Sequence, residues 1–431
     1  MAVTRLWHPD AEGVGAPWAI RAGDLVFCSG AMAFDPRAGV PDSVKPLKGY
    51  PNHWSRINRE LVYIYTGLGR TLEEAGSALT RTLKINSYHR HPEDVYEALR
   101  LRGDYFGKDE PPPSTLVLVP ELPVREARVA IDLVALAGDA AMGREALVSS
   151  TPNAPMPPHE RIWGHRIYSK AARGGGFIFT SGRTNNVIGA ATDSRSLGNP
   201  DAPYDLDRGV VATELILDYL ADVLGSFGAG PEHVVKAEIH INDPRLIAGL
   251  DEVWARRFGA GGPARVIVPA DFPTENSVME IEFIAVDPAG PYRPVVITAP
   301  DAPARFAGEP QAVKAGPYLF LSGMLATDYV QGVAPEAQIN PAFPYHDSAI
   351  KRQVSYILEI VEKICAAAGM GLEHLVRRKA IYRDLSDLGP AESAWRSKLP
   401  EAIPTTAFRA AHDLPVPGCL VMYDLVGYAP A

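Results

Sequence analysis

Phe177–Gly182 reads FIFTSG, a short apolar run closed by a Ser-Gly pair. The same signature stands at Leu25–Gly30 (LVFCSG) and at Leu319–Gly323 (LFLSG). Three further patterns follow it in the same order each time. A glycine precedes a basic residue by eight positions at Gly76/Lys84, Gly228/Lys236 and Gly369/Arg377. A proline then opens an extended run: PSTLVLVPELP from Pro113, PARVIVPADFP from Pro263 and PTTAFRAAHDLP from Pro404. A closing strand carries an acid, taken as Asp132, Glu280 and Asp424. Ser29 to Ser181, Gly76 to Gly228 and Lys84 to Lys236 are each 152 residues, and Ser114 to Arg265 is 151. Ser181 to Ser322, Gly228 to Gly369 and Arg265 to Thr406 are each 141. One spacing held across unrelated motifs identifies three tandem copies of a single unit. The acids drift, at 148 and 144, which a turn of variable length before the last strand accommodates.

Each copy reads as ββαβαββ. In the second, Val210–Gly228 (VVATELILDYLADVLGSFG) has apolar residues three and four apart, predicting an amphipathic helix that stops at Gly228. A strand over Val234–Ile241, a helix over Pro244–Gly259 and two more strands complete the unit. That order predicts an α+β domain with both helices on one face of a sheet. The copies are expected at 1–145, 155–290 and 296–431, joined by SSTPNAPMPP (149–158) and DPAGPYRP (287–294). A sheet covered on one face needs a partner for the other, and three copies can supply it by closing around a pseudo-threefold axis.

The bulk properties exclude several classes. A net charge of −9 without a dense basic run argues against nucleic-acid binding and against an anionic membrane surface. No stretch approaches the ~18 apolar residues of a membrane span. The opening MAVTRLWHPDAEG lacks the apolar core of a secretory leader, and Cys28, Cys365 and Cys419 are scattered, which together suit the reducing cytoplasm. His89, His91, His240 and His412 show no metal-ligand spacing, so no metal is expected. The RGGG run at Arg173–Gly176 lacks the strand-to-helix setting of a phosphate loop and reads as a hairpin turn.

The motifs resemble those of the RidA (YjgF) family of reactive imine/enamine deaminases, most closely in the second copy. YSKAARGGGFIFTSG (Tyr168–Gly182), PARVIVPADFP (Pro263–Pro273) and MEIEFIA (Met279–Ala285) are similar to the family's opening, PAR and closing signatures. The resemblance implies chorismate-mutase-like domains forming an intramolecular pseudo-trimer, with ligand clefts between neighbouring domains and no cofactor. It implies that Arg265 holds a substrate carboxylate, in keeping with the planar fork of a guanidinium. It further implies that Glu280 positions water, with Tyr168 and Ser181 as hydrogen-bonding partners. Asp251 stands where the family often has Asn. Copies one and three depart at these places: Arg265 is matched by Ser114 and Thr406, and Tyr168 by about Ala16 and Glu309. Copy two is therefore expected to carry the function.

The leading expectation is a cofactor-independent hydrolytic deaminase. It would act on a small carboxylated imine or enamine, with Arg265 as anchor and Glu280, Tyr168 and Ser181 as catalytic groups. A pathway-specific ring-opening hydrolase or aminomuconate-type deaminase is a second reading, and a non-catalytic ligand-binding protein a third. Chorismatase-like chemistry is a weaker analogy of fold alone. A chain that closes its own trimer is expected as a monomer or a homodimer.

Overall fold

The structure, a computed structural model, describes residues 3–6, 17–50, 54–148, 167–186, 194–197, 201–202, 206–259 and 261–430. The linker 149–158 and the position of Ala16 lie outside these residues.

Unit 1 comprises β1 (Thr4–Leu6), β2 (Ala19–Ala22), β3 (Leu25–Ala31), α1 (Arg56–Glu74), β4 (Thr82–His89), α2 (Val95–Phe106), β5 (Ser114–Leu118) and β6 (Val129–Leu136). Unit 2 runs through β7 (Glu145–Leu147), β8 (Ala171–Gly174), β9 (Phe177–Thr180), β10 (Arg183–Thr184), α3 (Ser194–Leu197), α4 (Arg208–Gly225), β11 (Val234–Ile241), α5 (Ile247–Phe258), β12 (Ala264–Pro269) and β13 (Met279–Val286). Unit 3 holds β14 (Pro294–Ile297), β15 (Ala312–Ala315), β16 (Tyr318–Leu321), α6 (Ala349–Ala367), β17 (Leu375–Tyr382), α7 (Leu388–Lys398), β18 (Thr405–Arg409) and β19 (Val421–Tyr428). The three sheets share one strand order: β1-β2-β3-β6-β4-β5, then β7-β8-β9-β13-β11-β12, then β14-β15-β16-β19-β17-β18. Each gains one edge strand over the expected ββαβαββ. In unit 2 that strand begins at Glu145, ahead of the expected 155, and in unit 3 at Pro294, ahead of 296.

Local chemistry repeats with the topology. The long helices α1, α4 and α6 are N-capped by Ser55, Asp207 and Ser348, each accepting a backbone N–H three residues on. Beyond their C-termini, Gly76, Gly228 and Gly369 adopt φ of 71, 73 and 74°. The next residue in each case donates its N–H five residues back, to Leu72, Leu224 and Cys365. A left-handed residue followed by that bond is a Schellman ending, and glycine adopts the left-handed conformation without a Cβ clash.

One face of each sheet packs on its helices, as Ala237, Ile239, Ile281 and Phe283 do against Ile216, Leu220, Val253 and Trp254. The other faces meet in a shared core that includes Phe27 and Val134 of unit 1, Phe179 and Val266 of unit 2 and Phe320 of unit 3. The boundaries close cyclically. Gly182 N–H donates to Ser114 O at 3.1 Å, and Gly323 N–H donates to Arg265 O at 2.9 Å. Gly30 N–H donates to Thr406 Oγ1 at 3.0 Å, which completes the ring. The pseudo-threefold assembly is thus built within one chain.

Candidate active site

Strand register fixes which residues are equivalent. Ser114 pairs with Ile85, Arg265 with Ala237 and Thr405 with Arg378, three matching places on the three parallel pairs. The third-copy counterpart of Arg265 is therefore Thr405, and the expected Thr406 belongs with Thr115 and Val266 on the inward face. The acids also shift. Asp132 pairs with Asn86, Glu282 with Glu238 and Asp424 with Lys379. Glu282 is thus the counterpart of Asp132 and Asp424. Glu280 lies two residues earlier, opposite His240, where the other units have Ala130 and Met422. Side chains alternate faces along a strand. Repeat alignment by motif could not see a one- or two-residue slip that leaves the pattern of apolar residues unchanged.

The same register separates the expected site residues. Arg265 shares the helix-facing side with Ala237 and Phe283, while Glu280 shares the opposite side with His240 and Glu282. Arg265 and Glu280 therefore serve different boundaries, and the single cleft expected from the sequence does not form.

Tyr168, Ser181 and Glu280 meet where unit 2 faces unit 1. Ser181 Oγ accepts from Ser114 N–H at 2.8 Å and donates to Ser169 O at 2.7 Å, so its hydroxyl is spent on the strand junction. The Glu280 carboxyl lies against Gly182, so close that a Cβ on that glycine would stand 2.0 Å from Oε1. Glu280 is 6% exposed, and among the described residues no hydrogen bond or ion pair reaches it. Its neighbour Glu282 takes the cation instead, 2.8 Å from Lys84 Nζ and hydrogen-bonded by Thr115. Burial pushes the Glu280 carboxyl up to about 8; Lys84 opposes the shift, and the Glu282 and Glu238 carboxylates add to it. Tyr168 is also held above the usual phenol range, by burial first and then by Tyr219 and Glu280. Half-buried Arg183 lies over the Tyr219 ring at 4.3 Å. Sequence reading passed over Arg183, Thr115 and Tyr219, because none carries a motif and only packing brings them to Glu280.

Arg265 and Asp251 sit where unit 2 faces unit 3. Arg265 Nη2 is 2.6 Å from Asp251 Oδ1, and its Nε is 3.4 Å from Glu309 Oε1 of unit 3. Trp254 lies beneath the guanidinium at 5.5 Å. Arg305 reaches the same Glu309 at 3.2 Å, leaving two cations and two carboxylates in balance. Around them is a narrow recess lined by Asp251, Trp254, Phe306 and Glu309. The residue expected to anchor a substrate carboxylate is thus already engaged by two protein carboxylates. Met422 and Val266 pack against Gly323 here, in the place Glu280 takes against Gly182.

A family model described as endoribonuclease L-PSP matches residues 9–137 and 160–287, more than half of the chain. The chain belongs to this family, the RidA (YjgF) family. A RutC family protein of Pyrococcus horikoshii is 27% identical over 142 residues, 31% of this chain and 93% of its own. A second, from Pyrococcus abyssi, is 26% identical over 125 residues, covering 27% and 84%. The solved structure of RidA from the Antarctic bacterium Psychrobacter sp. is 27% identical, covers 31% of this chain and 99% of its own, and has a TM-score of 0.26. Each relative corresponds to about one RidA-like unit of the three. Membership supports a small-molecule imine/enamine deaminase or a related role. No group of three or more His, Cys, Asp or Glu able to hold a metal occurs among the described residues. No described helix is long and apolar enough to cross a membrane.

Proposed function

We propose that the chain hydrolyses a small carboxylated imine or enamine at the boundary of units 1 and 2, with Glu280 as acid and base. The observation that supports this most is a buried carboxyl, unpaired among the described residues and pushed up to about 8. A group poised near neutrality transfers protons in both directions at little cost. Glu280, protonated below 8, donates its proton to the imine nitrogen as water adds to the carbon. The carboxylate so formed takes a proton from that water. Collapse of the carbinolamine expels ammonia and leaves the carbonyl product. Tyr168 borders the reacting nitrogen, and Ser181 holds the backbone on which Glu280 rests. An imine carbon is already electrophilic, so the reaction as drawn uses only these groups.

Ammonia release from 2-iminopropionate, generated in situ from alanine by an amino acid oxidase, tests the reading. Glu280→Gln, which keeps size and removes the titrating proton, is expected to cut turnover by roughly 10²–10⁴-fold, the usual worth of a general acid–base. Full activity in that variant overturns the assignment, and a wild type that binds carboxylates without releasing ammonia favours the ligand-binding reading.

A further inference from the structure

Each boundary keeps one buried guanidinium behind the strand that follows the second helix, but each delivers it from a different backbone position. Helices α2, α5 and α7 begin at Val95, Ile247 and Leu388, so Arg102, Trp254 and Trp395 share one helical place, and Leu99, Asp251 and Glu392 share another. In unit 2 the guanidinium comes from β12 as Arg265, over Trp254 and paired with Asp251 and Glu309. In unit 3 it comes from β17 as Arg378, over Trp395 at 4.2 Å and paired with Glu392. In unit 1 it comes from α2 as Arg102. There it donates to Ser114 Oγ and, at 3.4 Å, to Ser87 Oγ.

Among the described residues, only the last lacks a counterion. Arg102 is 1% exposed, its Nε has no partner, and the helix acid of the other units is Leu99 here. Two titratable groups that it acts on are uncharged: the Tyr65 phenol, and the His89 imidazole, which burial and Arg102 together push down to about 3. Of the other cations at this boundary, Lys84 is taken by Glu282, and Arg183 has the Tyr219 ring as its contact and no carboxylate within ion-pair distance among the described residues. Leaving a buried cation uncompensated is costly, and the two sister sites avoid it. We infer that the missing anion is a ligand: Arg102 charges Ser114, which presents its hydroxyl to one anionic group of the substrate at the boundary of units 1 and 2. Arg102 donates to the Ser114 oxygen, so that hydroxyl keeps its own proton free for the ligand. Ser114 is half-buried and its N–H already bonds Ser181, which places the anion beside Glu280's neighbours. Arg102 is in this role a positioning residue, acting through Ser114.

The inference rests on the proposed site at this boundary, yet it can fail separately. The probes are pyruvate and its uncharged amide, titrated calorimetrically into the full chain. Wild type is expected to prefer pyruvate by about ten-fold or more, the scale of a charge-assisted bond. Arg102→Met is expected to abolish the preference and Arg102→Lys to restore part of it, which a purely structural role would not do. Ser114→Ala, a milder change, is expected to weaken pyruvate and spare the amide, and it carries the test if Arg102→Met does not fold. Equal binding of the two probes by wild type, or an undiminished preference in Ser114→Ala and in folded Arg102→Met, overturns the inference. Glu280→Gln should keep the preference while losing ammonia release. A preference that follows Arg102 in a chain releasing no ammonia would uphold the anion site and sink the hydrolytic reading.

Discussion

Two acids on one strand, Glu280 and Glu282, show how a two-residue step along one face divides structure from chemistry. Glu282 faces Lys84 across a unit boundary and pairs with it at 2.8 Å. Glu280, on the same face, has no such partner among the described residues and is pushed up to about 8 from the ordinary 4.5. The sign of the pH effect follows. Between about 4.5 and 8 the unfolded chain has lost a proton that the folded chain keeps, so Glu280 lowers stability progressively as pH rises through that window and no further above it. Thermal melts of Glu280→Gln and wild type should therefore diverge from pH 5 to pH 8 in favour of the variant, on the order of a few kcal/mol. Turnover of the wild type should fall as pH rises above about 8, where the proton donor is lost. Arg265 behaves oppositely. Removing it strands Asp251 and Glu309, and because Asp251 is 30% exposed the expected loss for Arg265→Ala is roughly 2–4 kcal/mol, below that of a fully buried pair. Denaturant melts should show that loss, while KM for the carboxylated substrate stays within about two-fold of wild type. A large rise in KM would return Arg265 to the role its motif implies.

At the scale of elements, the Ser-Gly junction after the second hairpin strand is one device put to three uses. Gly30 has φ of +61° and approaches the backbone of Thr405, where a Cβ would stand 2.1 Å from the carbonyl oxygen. Gly182 instead abuts side-chain ends, the Glu280 carboxyl and the Thr115 hydroxyl. Alanine substitution should separate the two. Gly30→Ala forces backbone apart at the unit 3–unit 1 boundary and should cost stability, on the order of 2 kcal/mol or more. Gly182→Ala should be tolerated in thermal melts to within about 1 kcal/mol, because the ends of Glu280 and Thr115 can turn aside where backbone cannot, yet lose most turnover through the displacement of Glu280. Comparable stability loss in both variants would mean that Glu280 is not free to move. The helices contribute through their starts: because α2, α5 and α7 begin in register, Arg102, an ordinary surface position by periodicity alone, lands where the other two helices have tryptophan.

At the scale of the molecule, the axis is held by charge pairs that each join two units. Lys236 lies 2.6 Å from Asp424, Arg377 lies 3.3 Å from Asp132, and Lys379 reaches Glu238. Lys236, Glu238, Arg377 and Asp424 line a void of about 20 Å³, room for about one water. The pairs differ in kind around the ring, so a unit cannot replace its neighbour without leaving buried charge unmatched. With its trimeric contacts satisfied internally, the chain should run in light scattering with the mass of one copy or two. A stable trimer of chains would contradict that closure.

The sequence by itself determined the repeat, the α+β unit and the family, because helix caps, Ser-Gly junctions and strand periodicity are local and recur at fixed spacing. It also marked Glu280, Tyr168, Ser181, Arg265 and Asp251 as unusual. Which of them share a boundary was decided only by tertiary structure. A strand exposes alternate residues to opposite faces, and cyclic closure sends those faces to different neighbours, so Arg265 and Glu280, fifteen residues apart, turn to units 3 and 1 respectively. The guanidinium that meets Ser114 comes from another helix position altogether, and nothing in linear spacing records that three backbone positions deliver one group to equivalent places.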